Sequence, residues 1–165
     1  MQIINIGTQP EHIPEVAHWL FTEWGHLTPG SSVERSIRRL TERCQSADLP
    51  VTFIAVEEQQ VVGTVSLVPH DLKIRMDLTP WIASVFVKPD ARGRGIGSQL
   101  VTFAEQKAQR RGISTVYLFT PNKQRMYARL GWNTIEDEVE YRGERVTIMN
   151  KTCPPELNSA IHASD

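Results

Sequence analysis

The chain opens with polar and apolar residues alternating from Gln2 to Ile6, the two-residue period of a short strand. From Pro10 to Gly25 the period lengthens. Ile13, Val16, Ala17, Leu20, Phe21 and Trp24 fall at three- and four-residue spacing on one face, which predicts a helix stopped at Gly25. Ser31 or Ser32 can cap a second helix, with Val33, Ile37 and Leu40 inward and Glu34, Arg35, Arg38 and Arg39 outward. Val51 to His70 holds two β-rich runs joined at Glu57 to Gln60, the pattern of a hairpin. After a loop, Trp81 to Val87 is nearly all apolar, as expected of a central strand covered on both faces.

Helical spacing returns from about Gly97 to Arg111, with Leu100, Val101, Ala104 and Ala108 apolar, basic residues in the last turn and Gly112 as a stop. Ser114 to Phe119 reads as a further buried strand and Asn122 to Trp132 as a short helix broken at Gly131. Trp132 to Asn150 reads as a second hairpin, turning at Arg142-Gly143. The order is strand, two helices, three strands, helix, strand, helix, two strands. Antiparallel hairpins with one strand-helix-strand crossover predict an α+β fold, a mixed and mostly antiparallel sheet of about seven strands flanked by about four helices. With no repeat and no linker, residues 1–153 read as one domain, and the Pro-containing, apolar-poor segment 154–165 as a loosely attached tail.

Composition narrows the function classes. A chain of 165 residues is about one domain long and can enclose a core. Its 18 basic and 19 acidic residues leave a formal charge of −1, which offers no broad footprint for nucleic acid. Two scattered cysteines, Cys44 and Cys153, are too few for a disulfide scaffold or a thiolate metal site and suggest a reducing compartment, the cytoplasm. No window approaches the roughly 18 apolar residues of a membrane span, and the N-terminus lacks the pattern of a secretion signal.

The chemistry concentrates at one strand-to-helix junction, KPDARGRGIGSQL, Lys88 to Leu100. A helix start presents unpaired N–H groups and about half a positive charge, glycines let backbone approach an anion, and Arg92 and Arg94 can add charge-assisted hydrogen bonds. That construction suits a pyrophosphate. The dinucleotide fingerprint fails, because Leu100 stands where its last glycine is required. A nucleotide-hydrolysing P-loop fails too, because Ser98-Gln99 replaces its Lys-Ser/Thr pair.

VFVKPDARGRGIGSQLV resembles the acetyl-coenzyme-A-binding motif of the GCN5-related N-acetyltransferases, with Arg92, Gly95 and Gly97 filling the signature of Arg or Gln, two residues, Gly, any residue, Gly or Ala. The element order resembles that family's over nearly the whole chain. The resemblance implies acetyl-coenzyme A as co-substrate, its pyrophosphate on the backbone of Arg92, Gly93, Arg94, Gly95, Ile96, Gly97 and Ser98. It implies a splayed strand whose Val85, Phe86 and Val87 bind the pantetheine arm like an added strand. It also implies Tyr127 as the acid toward the departing thiolate. The family's usual asparagine lies about seven residues before that tyrosine. Asn122 lies five before, so its contact with the pantetheine amides is the weaker expectation, beside a plain N-cap role.

Amine acetylation also needs a base, since an amine with a pKa near about 10 is protonated at neutral pH. No residue stands out. Asp77, Asp71, His70, Glu23 and an ordered water are the candidates. The acidic run Glu136 to Glu144 would suit a cationic amine or simply protect an edge strand, and Trp24 would wall the acceptor cleft or pack at its rim. Three functions stay open: acetylation of a small-molecule amine, acetylation of a protein lysine or N-terminus, and non-catalytic sensing of an acyl-coenzyme A. A homodimer is left open.

Overall fold

The computed structural model describes residues 1–155, so the predicted tail lies for the most part outside the described residues. The elements are β1 (Gln2–Asn5), α1 (Ile13–Trp24), α2 (Val33–Arg43), β2 (Val51–Glu57), β3 (Gln60–Val68), β4 (Trp81–Val87), α3 (Ile96–Arg110), β5 (Thr115–Thr120), α4 (Gln124–Arg129), β6 (Asn133–Tyr141) and β7 (Glu144–Thr152). The seven strands form one sheet in the order β1-β2-β3-β4-β5-β7-β6. Only β4 and β5 are parallel, joined by the crossover through α3; every other neighbouring pair is antiparallel.

Alternation along the strands sorts the core. Phe53, Val65, Leu67, Ile82 and Leu118 pack against Leu100, Val101 and Ala104 of α3 on one face, together with Tyr127 and Trp132. Ile54 and Val61 turn the other way, onto Val16, Ala17 and Leu40 of α1 and α2. Farther along that second face Trp81, Ala83 and Ile148 form a smaller cluster with Leu72 of the β3–β4 loop.

Local chemistry sets the element ends. Ser32, not Ser31, caps α2 by accepting a 3.1 Å hydrogen bond from the Arg35 N–H, while Ser31 donates to the Gly25 carbonyl at 2.6 Å. Pro10–His12 is a separate 3-10 turn, so α1 starts three residues later than the sequence predicts. α1 does end at Trp24, but Gly25 keeps a right-handed φ of −58° and leads into another 3-10 turn. Its requirement is space: a β-carbon there would stand 2.6 Å from the Phe21 ring. α3 closes as foreseen at Gly112, whose φ of 76° belongs to the left-handed region.

β4 departs from expectation. Trp81, Ile82 and Ala83 are buried, yet Ser84 to Val87 are only half-buried, because the neighbour that would cover them diverges. Trp81 is fully buried, donates its indole N–H to the Leu78 carbonyl at 2.7 Å, and packs on Tyr117 and Phe119 of β5 at ring distances of 5.9 and 6.1 Å. It therefore clasps β4 to β5 at one end only. Trp81→Ala removes this clasp and a large buried side chain, with an expected loss of about 3–5 kcal/mol in denaturant unfolding. A loss below about 1 kcal/mol would show that the strands are held elsewhere.

Candidate active site

Between β4 and β5 a single residue pair is in register, Trp81 with Tyr117, supported by the Tyr117 N–H bonded to the Pro80 carbonyl at 3.0 Å. Beyond it the strands part. Two residues of β4, Ser84 and Val85, stand where the register with β3 shifts, and Ser84 takes a φ of 54°, the mark of a bulge that increases local twist. The β5-facing backbone of Val85 and Val87 is thus left without a strand partner, while Phe86 between them pairs with Thr64 of β3. Val85 and Val87 pack toward α3, while the Phe86 ring turns toward α1, 5.4 Å from Trp19 and 6.4 Å from Trp24.

The strand ends at the glycine loop. Gly93 and Gly95 have φ of 78° and 77°, and β-carbons on them would meet nothing within 4 Å, so the backbone there faces open space. Gly95 is the N-cap of α3 without side-chain capping, and the Gln99 N–H bonds back to its carbonyl at 3.1 Å. The N–H groups of Ile96, Gly97 and Ser98 consequently have no intrahelical partner. Ile96 is 3% exposed and contributes only backbone, and Ser98 lines a groove beside Ile3 and Phe103 instead. The arginines are tethered. Arg92 donates its Nε–H to the Val87 carbonyl at 2.8 Å and lies 5.3 Å over the Phe86 ring; Arg94 grips Glu57 at 2.7 and 3.1 Å. The Arg94 pair is exposed and weak enough to exchange for a stronger anion.

A cleft of about 600 Å³ runs through the opening between β4 and β5, lined by α1, α2, Asp71, the diverging strands and the tip of the β6–β7 hairpin. Tyr127, Asn122, Val85, Trp24 and Glu23 all line it. Tyr127 is 6% exposed and packs edge-on to Trp132 at 6.1 Å; its hydroxyl has no hydrogen bond among the described residues. Burial pushes that phenol up to about 12, so it stays protonated across the neutral range. Trp132 is itself fixed, donating to Glu105 at 2.8 Å, and Glu105 also takes the Lys151 ammonium at 2.8 Å. Asn122 is not a cap: α4 begins at Gln124 with Lys123 as the capping position, which leaves the Asn122 side chain exposed at the cleft.

The proposed bases separate. Asp77 is held below the usual carboxylate range by its hydrogen bonds to Arg75, at 3.0 and 3.1 Å, and neither it nor His70 lines the cleft. Asp71 does. It makes no hydrogen bond or ion pair among the described residues, and burial pushes it up to about 6 against the opposing pull of Arg43 and Arg142. Arg142 crosses the cleft mouth, donating to the Leu27 carbonyl at 3.0 Å and the Thr28 hydroxyl at 2.9 Å.

A family model described as the acetyltransferase (GNAT) family matches residues 13–132. The chain belongs to that family. An uncharacterised N-acetyltransferase of Chlorobaculum tepidum is 26% identical over 133 residues, 81% of this chain and 77% of that one. Among solved structures, an aminoglycoside 6′-N-acetyltransferase complexed with coenzyme A superposes with a TM-score of 0.75 at 19% identity, covering 94% of this chain and 98% of that one. A putative acetyltransferase from Salmonella typhimurium with acetyl-CoA gives 0.68 at 17%, covering 100% and 97%. At such identities these structures establish the shared fold, and the seven-stranded sheet with four helices matches the family resemblance read from the sequence.

Two parts of the site escaped sequence reasoning. Arg39, assigned to the outer face of its helix, lines the cleft together with Arg43 and Ser36. Their shared spacing of three and four residues was a signal, but it competes with the apolar stripe of Ile37 and Leu40. The acidic hairpin, conversely, mostly misses the cleft. Glu136 is bonded to Arg75 and Glu138 to Arg145, each at 2.7 Å, and Asp137 accepts from Thr147 at 2.7 Å; of that segment's acids only Glu144 lines the cleft.

Two outcomes test this geometry. Gly95→Ala forces a left-handed alanine and should cost about 1–2 kcal/mol, whereas Gly97→Ala, with only Val87 at 3.7 Å from the new β-carbon, should hold or raise the melting temperature. Equal effects would mean that the two glycines serve one purpose. For Asp71, the folded chain binds its proton more tightly than an unfolded carboxyl at 3.8, so stability falls as pH rises from there through about 6. Asp71→Asn should therefore stabilise the protein at pH about 8 by roughly 1–3 kcal/mol, with the difference vanishing in acid. An unchanged or lower stability at pH about 8 refutes the buried, unpaired state of this carboxyl.

Proposed function

We propose that this chain transfers the acetyl group of acetyl-coenzyme A to a primary amine of a small molecule by direct attack on the thioester. The observation that carries the reading is the parting of β4 from β5, which joins an unpaired backbone edge, a glycine loop and a cleft holding Tyr127 and Asp71. The loop N–H groups from Gly93 to Ser98 donate to the pyrophosphate oxygens, with Arg92 and Arg94 beside them, and Val85 to Val87 pair with the amides of the pantetheine arm. Asn122 borders the same arm.

Asp71 is the base. A carboxyl near neutrality accepts a proton from the substrate ammonium, directly or through a water, and the free amine attacks the thioester carbon. A strand N–H of β4 holds the oxyanion. The C–S bond then breaks and its electron pair goes to sulfur. Tyr127, kept neutral by burial, donates a hydrogen bond to that thiolate. Its phenol is a weaker acid than a thiol near about 8.5, so the net proton reaching sulfur comes from the acetylated nitrogen. A volume near 600 Å³, together with the Arg142 strap across the mouth, supports a small acceptor over a polypeptide.

Thiol release from acetyl-coenzyme A with small amines set against peptides tests the assignment; peptides as the better acceptors would overturn the small-molecule reading. Tyr127→Phe should lower kcat on the order of 10²-fold while coenzyme affinity stays within about threefold. Asp71→Asn should abolish an acid limb of kcat/KM with a midpoint near 6. Persistence of that limb in the variant removes Asp71 as the base.

A further inference from the structure

The acetyl-transfer chemistry leaves Arg39, Arg43 and Lys123 of the cleft's cations unused, and the first two lie together. Arg39 and Arg43 stand one turn apart on α2 and both line the cleft. Like charges at this spacing oppose helix formation, and neither is offset by an ion pair. Arg39 has no hydrogen bond among the described residues; Arg43 reaches only the Ser66 hydroxyl at 3.3 Å and the Thr52 hydroxyl at 3.5 Å. Burial, then the charge of Arg39, pulls Arg43 down to about 10, with Asp71 pulling the other way. The helix dipole accounts for a cation at the end of α2, yet Arg39 stands a full turn earlier and still lines the cleft.

The remaining charges sharpen the pattern. Arg142 is committed to Leu27 and Thr28, and Glu136 and Glu138 of the last hairpin are engaged outside the cleft, so Glu23 and Glu144 are the acids besides Asp71 that line it. A polycation entering here would meet two unpaired guanidinium groups. An oxyanion would satisfy both, since each guanidinium presents a planar fork suited to carboxylate or phosphate oxygens.

Resting on the acetyltransferase reading above, we propose that the acceptor amine carries an anionic group, a carboxylate or a phosphate, bound by Arg39 and Arg43 while its ammonium lies at Asp71. The substrate class is then a zwitterion, an amino acid or a phosphorylated amine, and not a polyamine or an aminoglycoside. The cleft offers a cation pair and an unpaired carboxylate side by side, the complement of such a molecule.

The test measures thiol release from acetyl-coenzyme A with matched acceptors: α-amino acids against their amides, phosphoethanolamine against ethanolamine, and spermidine and an aminoglycoside as polycations. At least one anionic acceptor should exceed its neutral counterpart in kcat/KM by about 10–100-fold, the worth of one charge-assisted hydrogen bond or more. Whichever pair shows the preference distinguishes carboxylate from phosphate. Arg39→Gln, at an exposed position, should shrink that preference about tenfold, chiefly through KM, and Arg39→Lys should recover part of it. Polycations turned over as well as or better than the anionic acceptors, or a preference unmoved in both Arg39→Gln and Arg43→Gln, overturn the proposal while acetyl transfer itself stands. No thiol release with any acceptor, in protein that binds acetyl-coenzyme A, overturns the enzyme reading beneath it.

Discussion

Trp81 pins two parallel strands at one end, and three residues later a bulge at Ser84 turns one of them away. The indole is wholly buried and hydrogen-bonded, so the strands cannot separate at that end. The left-handed Ser84 and the extra residue of the bulge prevent their pairing at the other. The site depends on this asymmetry. The sheet is continuous enough to be rigid yet has an internal edge, and unpaired backbone inside a protein is tolerated where a ligand or water can satisfy it. The glycine loop and the start of α3 follow directly from the end of the diverging strand, which places open backbone N–H groups and an unpaired strand edge in line.

Electrostatics in the cleft differ from those of the surface around it. Glu136, Asp137 and Glu138 of the outermost hairpin are matched by Arg75, the Thr147 hydroxyl and Arg145, so they screen an exposed edge strand instead of attracting a substrate. Inside, Asp71, Arg39 and Arg43 lie near one another without forming the ion pair that would neutralise them. Unpaired charge in a partly desolvated cleft costs stability, and such costs are characteristic of sites that act on a ligand. Tyr127 shows the opposite economy: a neutral group held by Trp132, Glu105 and Lys151 in a chain of buried contacts, with only its hydroxyl left over.

Most of the architecture was legible because each element satisfies its own local rules. The three- and four-residue spacing of α1 and α3, a serine cap at Ser31 or Ser32, the stop at Gly112 and the two hairpins follow from neighbours within a few residues. So did the junction from Arg92 to Ser98, whose glycines and helix start lie within one turn of chain. What could not be read was set by contacts between distant segments. Gly25 looked like a conformational stop, but its constraint is the Phe21 ring packed over it. Arg39 looked solvent-facing from the helix pattern, which cannot reveal that a cleft opens beside α2.

By itself, the sequence determined the order and type of the elements, the family and the glycine-rich strand-to-helix junction, since all of these rest on periodicity or on motifs of short span. Only the tertiary structure decided where β4 leaves β5, which of several loop carboxylates borders the opening, and which arginines face it. Asp71, Arg39, Arg43 and Tyr127 are separated by long stretches of chain and meet because two strands diverge. Desolvation then determines how Asp71, Arg43 and Tyr127 titrate, and it exists only once the chain has closed around them.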